Sequence, residues 1–317
     1  MSLTSQLLHF AIRVLRPLPR TFWSVPRQRR QMETLSRIVR VPAGVKMEKV
    51  SAGGVKAWWL TPATADPQGV ILYFHGGAYA VGSPFTHREI TGLLARYAGL
   101  RLLSVDYRLA PENPFPAALE DARAAYAWLL EQGHDPAHIV LAGDSAGGGL
   151  CMSLLLSLRA DGLPLPAAAA LISPWADLAG TGESVRTRVG IDPLFSPPDL
   201  PIAAAHYLNG HNPLDPLISP VYADLRGLPP VLIQAGTDEL LHPQALALYG
   251  ALQAAGVAVR CEITPRRWHV FQLHANALPS ADAAIDRVAR FALGPLAEAT
   301  PPTASEHQVV ILGACRT

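Results

Sequence analysis

The chain has 317 residues, half of them hydrophobic, 16% charged, with a formal net charge of +1. That composition suits a large buried core and excludes disorder over most of the length. A near-neutral charge gives no general reason to expect nucleic acid or an acidic partner.

In chain order, residues 1–40 come first and differ from the rest. They carry eight arginines (13, 16, 20, 27, 29, 30, 37 and 40) against one acid, Glu33. Leu7, Phe10, Ala11, Val14 and Leu15 recur at helical spacing and predict one apolar face. The favoured reading packs that face on the body of the protein, with arginines in solvent. The same pattern also suits a weak contact with a membrane surface. Pro17, Pro19 and Pro26 keep the helical pieces short. The apolar patch lacks a preceding basic region and contains Arg13. No small-residue cleavage site follows it, so it does not read as a secretory signal, and a cytoplasmic location is expected. No run anywhere approaches the ~18 apolar residues of a membrane span.

From residue 45 the rhythm changes. Val45–Val50 and Val55–Leu60 read as two strands joined by a Gly53-Gly54 turn, an antiparallel start. Further strands are expected at Val70–Phe74, Leu100–Val105, Ile139–Ala142, Ala168–Ile172, Val231–Gln234 and Val257–Ile263. Helices are expected near Thr86–Ala98, Pro116–Gln132, Gly147–Arg159, His242–Ala255 and Ala281–Leu293. Short apolar strands alternating with helices predict a mostly parallel, eight-stranded sheet covered on both faces, with its site at the carboxyl ends of the strands. Between Trp175 and Pro230 the alternation breaks for about 55 residues, too long for a structureless loop. A small helical insertion with a helix near Pro198–Leu208 is expected there, over the site face.

The polar stretch Ala297–His307, with Pro301-Pro302, reads as a linker or disordered segment. The closing Val309–Thr317 is similar to the first strand of thiolases. It is either a remnant foreign to the fold or a docked final strand. The cysteines Cys151, Cys261 and Cys315 are widely separated and odd in number, with no zinc spacing. Neither a disulfide framework nor a metal site is expected.

The chemistry centres on Ile139–Gly149. Gly143-x-Ser145-x-Gly147 between a strand and a helix is the nucleophile-elbow pattern, whose sharp turn needs glycine at both flanks. A serine hydroxyl is a poor nucleophile without a base, and the base needs a third group to orient it. The acid and then the histidine should follow the serine, each after a later strand. Asp238 follows Val231–Gln234, and His269 follows the strand ending at Ile263. Glu239 is set aside because, one residue further on, it would face another way; His242 and His274 lie in or near helices. Upstream, Val70–Phe74 runs into His75-Gly76-Gly77-Ala78, a glycine-rich loop suited to presenting backbone amides to an oxyanion together with Ala146. His75 reads as a prop for that loop.

These signatures, with Asp106–Glu112, Pro114–Asp121, Gly143–Gly148 and Trp268–Phe271, resemble the hormone-sensitive-lipase-like (family IV) carboxylesterases of the α/β-hydrolase superfamily. The resemblance runs from Val70 to Phe271. It implies an α/β-hydrolase fold with a helical cap, and a triad of Ser145, Asp238 and His269. It also implies an oxyanion hole from the amides of Gly76, Gly77, Ala78 and Ala146, above all Gly77 and Ala78. No cofactor is implied. The Asp106-Tyr-Arg stretch is expected to brace the loops. Two departures stand out. Ala78 replaces the usual third glycine, so the hole is expected to survive only if that residue is not left-handed. Asp238-Glu-Leu stands where the family often has Asp-Pro-Leu.

The expected organisation is residues 1–45 as the N-terminal part of a cap, 46–176 with 220–296 as the catalytic unit, 177–219 as the cap insertion, and 297–317 as a tail. The expected activity is hydrolysis of short-to-medium acyl esters through a serine acyl-enzyme. A lactonase or amidase with the same residues, or a non-catalytic receptor, are the alternatives. The partner is a small-molecule ester, no nucleic acid is expected, and the oligomeric state is left open, a homodimer being the assembly considered.

Overall fold

Strand β3 (Asp66–Phe74) shows why the sheet forms where it does. Val70, Leu72 and Phe74 enter one core cluster, Ile71 and Tyr73 the other, and all five are fully buried. A two-residue period with apolar side chains on both faces suits only a strand covered on both sides. In the computed structural model, which describes residues 3–15, 24–180, 190–297 and 308–312, the other strands are β1 (Val45–Ala52), β2 (Val55–Pro62), β4 (Leu100–Val105), β5 (Ile139–Asp144), β6 (Ala168–Ile172), β7 (Val231–Gly236), β8 (Val259–Thr264) and β9 (Gln308–Ile311). They form one sheet in the order β1-β2-β4-β3-β5-β6-β7-β8-β9. The pairs β1–β2 and β2–β4 are antiparallel, and every later pair is parallel.

The helices are α1 (Leu3–Leu15), α2 (Val25–Ser36), α3 (Arg88–Ala98), α4 (Ala117–Glu131), α5 (Ala146–Ala160), α6 (Asp199–Leu208), α7 (His242–Ala254) and α8 (Pro279–Ala297). Helices α4, α5 and α7 cover one face of the sheet, and α3 and α8 the other. This is the doubly covered, mostly parallel arrangement expected from the alternation of elements. The strand count differs. The sheet has nine strands because β9 adds to the edge of β8 in parallel, and Leu312 N–H donates to Ile263 C=O at 3.0 Å. The closing segment is therefore a docked edge strand over 308–312; residues 298–307 and 313–317, with Cys315, lie outside the described residues. An apolar Val-Val-Ile-Leu run satisfies its own backbone by extending an open parallel edge, whatever precedes it.

Helix α1 also differs from expectation. Leu8 and Ile12 pack against the core, while Leu7 and Phe10 are 60% and 66% exposed. Ser5 is buried and accepts from Arg267 Nη1, and the His9 ring meets Trp268 edge-on at 5.7 Å. Positions 5, 8, 9 and 12 form an adjacent stripe to the one picked out by hydrophobicity. Polar anchoring by Arg267, invisible in a hydropathy pattern, chooses between them. Arg16, Pro17, Pro19 and Arg20 lie outside the described residues.

Helix α2 lies across the loop after β3. Arg29 donates from Nε to Ala80 C=O and from Nη2 to Ala110 C=O, both at 2.8 Å, and pairs with Glu112 at 2.7 Å. The insertion between β6 and β7 folds over the same end of the sheet. Its α6 stacks Tyr207 on Tyr79 with ring centroids 3.8 Å apart, and Phe115 N–H donates to Tyr207 C=O.

The β5–α5 turn packs against β3 with no room to spare. A Cβ at Gly143 would lie 2.5 Å from Gly147 C=O and 2.8 Å from Phe74 C=O, and one at Gly147 would overlap Phe74 C=O. Both obstacles are backbone, of β3 and of the first turn of α5, and cannot swing aside. Gly147→Ala is therefore expected to lower stability by about 3 kcal/mol, measured by urea unfolding followed by circular dichroism; an unchanged midpoint would contradict this packing.

Candidate active site

Ser145 sits between β5 and α5 with φ 53° and ψ −119°. Such a backbone is unfavourable for a residue with a side chain and persists only where neighbours over-determine it. Here they do. Ser145 N–H donates to Ile172 C=O at 2.8 Å, and its own C=O accepts from Trp175 N–H at 2.9 Å. The hydroxyl is thereby presented beyond the sheet's carboxyl edge, 2.9 Å from Nε2 of His269.

His269 lies on the loop after β8. Trp268 and Phe271, both fully buried, anchor that loop, and Val270 N–H donates to Ser173 Oγ at 3.2 Å. The imidazole is 3% exposed, and its Nδ1 lies 3.1 Å from Glu239 Oε2. A carboxylate can only accept, so Nδ1 carries the hydrogen and Nε2 is left to accept from the Ser145 hydroxyl.

The acid in this line is Glu239, and the assignment of Asp238 is corrected. The Asp238 carboxylate accepts from Thr237 Oγ1 at 2.7 Å, and its N–H donates to Arg267 C=O. Glu239 is fully buried, with Oε1 accepting from Gly236 N–H at 3.2 Å and Oε2 facing the imidazole. Beyond β7 the chain turns at Thr237 and Asp238, whose N–H groups donate to Thr264 and Arg267 C=O. That turn directs the Glu239 side chain, not Asp238, toward the histidine. Ser145 and His269 are brought together as the sequence reading expected.

The glycine-rich loop also needs correction at two points. Gly76 N–H is already committed to Asp144 Oδ1 at 2.9 Å and is not available to an oxyanion. Among the described residues no acceptor is found for the N–H groups of Gly77, Ala78 or Ala146, the last at the N-terminus of α5. Ala78 is left-handed, with φ 55°, as is Tyr79 at φ 57°. The condition set on Ala78 was too strict. A left-handed alanine costs about 1–2 kcal/mol, but the strain does not remove its N–H. The loop is held from several sides: Ala80 and Val81 N–H donate to Gly77 C=O, and Ala110 N–H donates to Tyr79 C=O.

Beneath the loop lies a buried polar cluster centred on Asp144, the residue before the serine. Asp144 accepts from Tyr73 Oη at 2.7 Å and from Gly76 N–H, and faces His87 Nε2 at 3.4 Å. Burial would raise the Asp144 carboxyl, but the His87 charge and hydrogen bond, with Tyr73, hold it below the usual carboxylate range. Burial would lower His87, but Asp144 raises it above its ordinary value. His75 stacks between this cluster and Tyr107, whose ring centroid is 4.3 Å away and whose hydroxyl donates to His75 C=O at 2.7 Å. Burial, then the His87 charge, pushes His75 down to about 3. It stays neutral and props the loop. Arg108, next to Tyr107, is held by Asp121 and Glu120. The motif around Asp144 was visible in the sequence; its partners, Tyr73 and His87, are 71 and 57 residues away and carry no local signal.

Trp175, Phe195, Leu200 and Leu241 close over Ser145 and His269, leaving about 10 Å³ of space. A neighbouring cavity of about 110 Å³ runs between α2, the glycine-rich loop and α6, past Val25, Val81, Ile202 and His206. No group of three or more His, Cys, Asp or Glu side chains suited to a metal ion occurs among the described residues. Cys151 and Cys261 are buried and free.

Residues 71–273 match a family model described as the α/β hydrolase fold. An acetyl-hydrolase of Streptomyces hygroscopicus is 47% identical over 251 residues, covering 79% of this chain and 83% of its own. An esterase of Acinetobacter venetianus is 34% identical over 82% of this chain and 86% of its own. Among solved structures, an esterase from the bacterial hormone-sensitive lipase family superposes with a TM-score of 0.88 at 43% identity, covering 92% of this chain and 98% of its own. The esterase EstE5, soaked with p-nitrophenyl butyrate, superposes at 0.90 with 40% identity, covering 94% and 100%.

The Asp144–His87 pair carries a pH signature. Ionised Asp144 stabilises the fold above the ordinary carboxylate range and loses that effect as pH falls through its depressed value. Protonated His87 contributes fully below the ordinary imidazole range and loses its effect as pH rises through its raised value. The pair is therefore strongest at about pH 5–6. His87→Ala should cost about 3–5 kcal/mol there, and the gap from the unaltered protein should narrow as pH rises through the raised value of His87. Urea unfolding across that range checks the sign; a gap that widens with pH would contradict it.

Proposed function

This chain belongs to the α/β-hydrolase fold family, among the hormone-sensitive-lipase-like esterases, and we propose that it hydrolyses carboxylic esters through an acyl-enzyme on Ser145, with His269 as base and Glu239 as the acid. Ser145 Oγ attacks the ester carbonyl as Nε2 of His269 takes its proton, and a tetrahedral oxyanion forms. His269 returns the proton to the leaving alcohol. Water then attacks the acyl-serine with His269 again as base, releasing the acid and restoring the serine. Glu239 holds the imidazole with Nε2 free and balances its charge when it is protonated. The amides of Gly77, Ala78 and Ala146 receive the oxyanion. Their N–H groups, free among the described residues and in a water-poor setting, cost little reorganisation.

The observation that carries this reading is the unbroken line Ser145 Oγ–His269–Glu239, at 2.9 and 3.1 Å, at the end of the elbow. The small space beside Ser145 supports short acyl groups, as does the acetyl-hydrolase name of one relative. The insertion between β6 and β7, with α1 and α2, serves as the cap in this reading, because α2 and α6 both wall the cavity beside the glycine-rich loop. No described helix is long and apolar enough to cross a membrane. A cytoplasmic location and a homodimer accord with the reading; a weak membrane contact draws support from exposed Leu7 and Phe10.

Two sets of variants test it, assayed with p-nitrophenyl acetate and butyrate. Ser145→Ala should leave no more than a few thousandths of the activity with the fold intact. Glu239→Gln should lower kcat by roughly 10³–10⁴, while Asp238→Asn stays within about threefold. Equal losses in the two acid variants would reject Glu239 as the acid. Activity should also rise with pH on the acid side of the profile, since only the neutral imidazole can accept the serine proton. A profile falling from low pH with no such limb would reject His269 as the base.

A further inference from the structure

Asp192, in the insertion between β6 and β7, is only 2% exposed, yet it belongs to none of the groups assigned above. Its two oxygens face opposite ways. Oδ1 accepts from Leu194 N–H at 2.8 Å and from Phe195 N–H at 3.4 Å, within its own segment. Oδ2 crosses to the loop after β7 and accepts from Leu240 N–H at 3.1 Å, the amide directly following Glu239. The turn closed by Oδ1 sets the Phe195 ring edge-on against the His269 imidazole, with centroids 5.0 Å apart at 72°. One carboxylate thus holds the backbone behind the acid and the ring against the base.

We propose that Asp192 is a positioning residue for the imidazole: it clamps the insertion onto the Glu239–His269 pair and places a second negative charge behind the base. This rests on the Ser145–His269–Glu239 reading and extends it, because the alignment of the base then depends on a residue outside the sheet. Two observations converge on it. The carboxylate spends a fully buried acceptor on the one amide adjoining Glu239, where an uncharged residue would serve mere packing. Among the described residues, the titratable side chains whose charges act on Asp192 are His269, from the loop after β8, and Glu239, from the loop after β7, and its hydrogen bonds go to the backbone amides named above. Burial raises the Asp192 carboxyl to about 6, against the attraction of His269. Above that value it is ionised and faces the base as an anion.

The test uses the full chain and p-nitrophenyl acetate, with kcat and KM resolved across pH and melting followed by circular dichroism. Asp192→Asn removes the charge and keeps the size. Expected is a fall in kcat of about tenfold, little change in KM, and an acid limb of kcat/KM displaced to lower pH by about one unit. The direction follows because the imidazolium form loses a stabilising anion. Should the asparagine variant fail to fold, Asp192→Ser, which also removes the charge in a smaller side chain, is read in the same way. A loss confined to KM or to melting temperature, or an acid limb that does not move, overturns the proposal. Ser145→Ala and Glu239→Gln are run alongside. If both are inactive while Asp192→Asn matches the unaltered protein, only the role of Asp192 fails. If Glu239→Gln retains full activity, the triad reading itself fails.

Discussion

The unfavourable backbone at Ser145 is the constraint on which the rest of this structure turns. A serine at φ 53° costs about 1–3 kcal/mol and exists only because its surroundings leave it no alternative. Ile172 holds its N–H, Trp175 holds its C=O, and glycines at 143 and 147 let α5 start against the backbone of β3. These contacts come from the carboxyl ends of β3, β5 and β6. The order of the central strands, β3-β5-β6-β7-β8, is thus the condition for the turn as well as the source of its partners. The glycine-rich loop ends β3, Trp175 follows β6, Glu239 follows β7 and His269 follows β8.

A second constraint lies one residue earlier. Asp144 is a buried charge directly beneath the proposed oxyanion loop, and it is tolerable only with His87, Tyr73 and the Gly76 amide around it. Removing a charge from water is expensive unless it is paired and fully hydrogen-bonded. The same bonds that satisfy Asp144 fix where the loop begins, and they leave Gly77 and Ala78 to present their amides. Arg29 completes the bracing from outside by holding Ala80 and Ala110 C=O. The loop can therefore carry two consecutive left-handed non-glycine residues, Ala78 and Tyr79, because polar contacts above and below hold it in place.

The proposed acid shows how narrow the margin of such an architecture is. Asp238 and Glu239 are neighbours in sequence, and both are carboxylates at the end of β7. The turn after Gly236, held by the N–H groups of Thr237 and Asp238, determines which of them faces His269. The unselected aspartate is left to its neighbour Thr237. The insertion adds a contact from the other side, through Asp192 and Phe195, to the same imidazole.

Sequence alone was sufficient for the alternation of strands and helices, the position of the elbow, the pairing of Ser145 with His269 and the glycine-rich loop after β3. These rest on local rules: a period of two in buried strands, glycine where backbones meet, and polar residues immediately after strand ends. Tertiary structure decided what depended on distant partners. It selected Glu239 over Asp238 through a turn bonded to Thr264 and Arg267, and withdrew Gly76 through Asp144. It turned α1 onto Ser5, Leu8, His9 and Ile12 through Arg267 and Trp268, and it docked β9 on an open edge. In each case the deciding contact lies many residues away in the chain, where no local rule reaches.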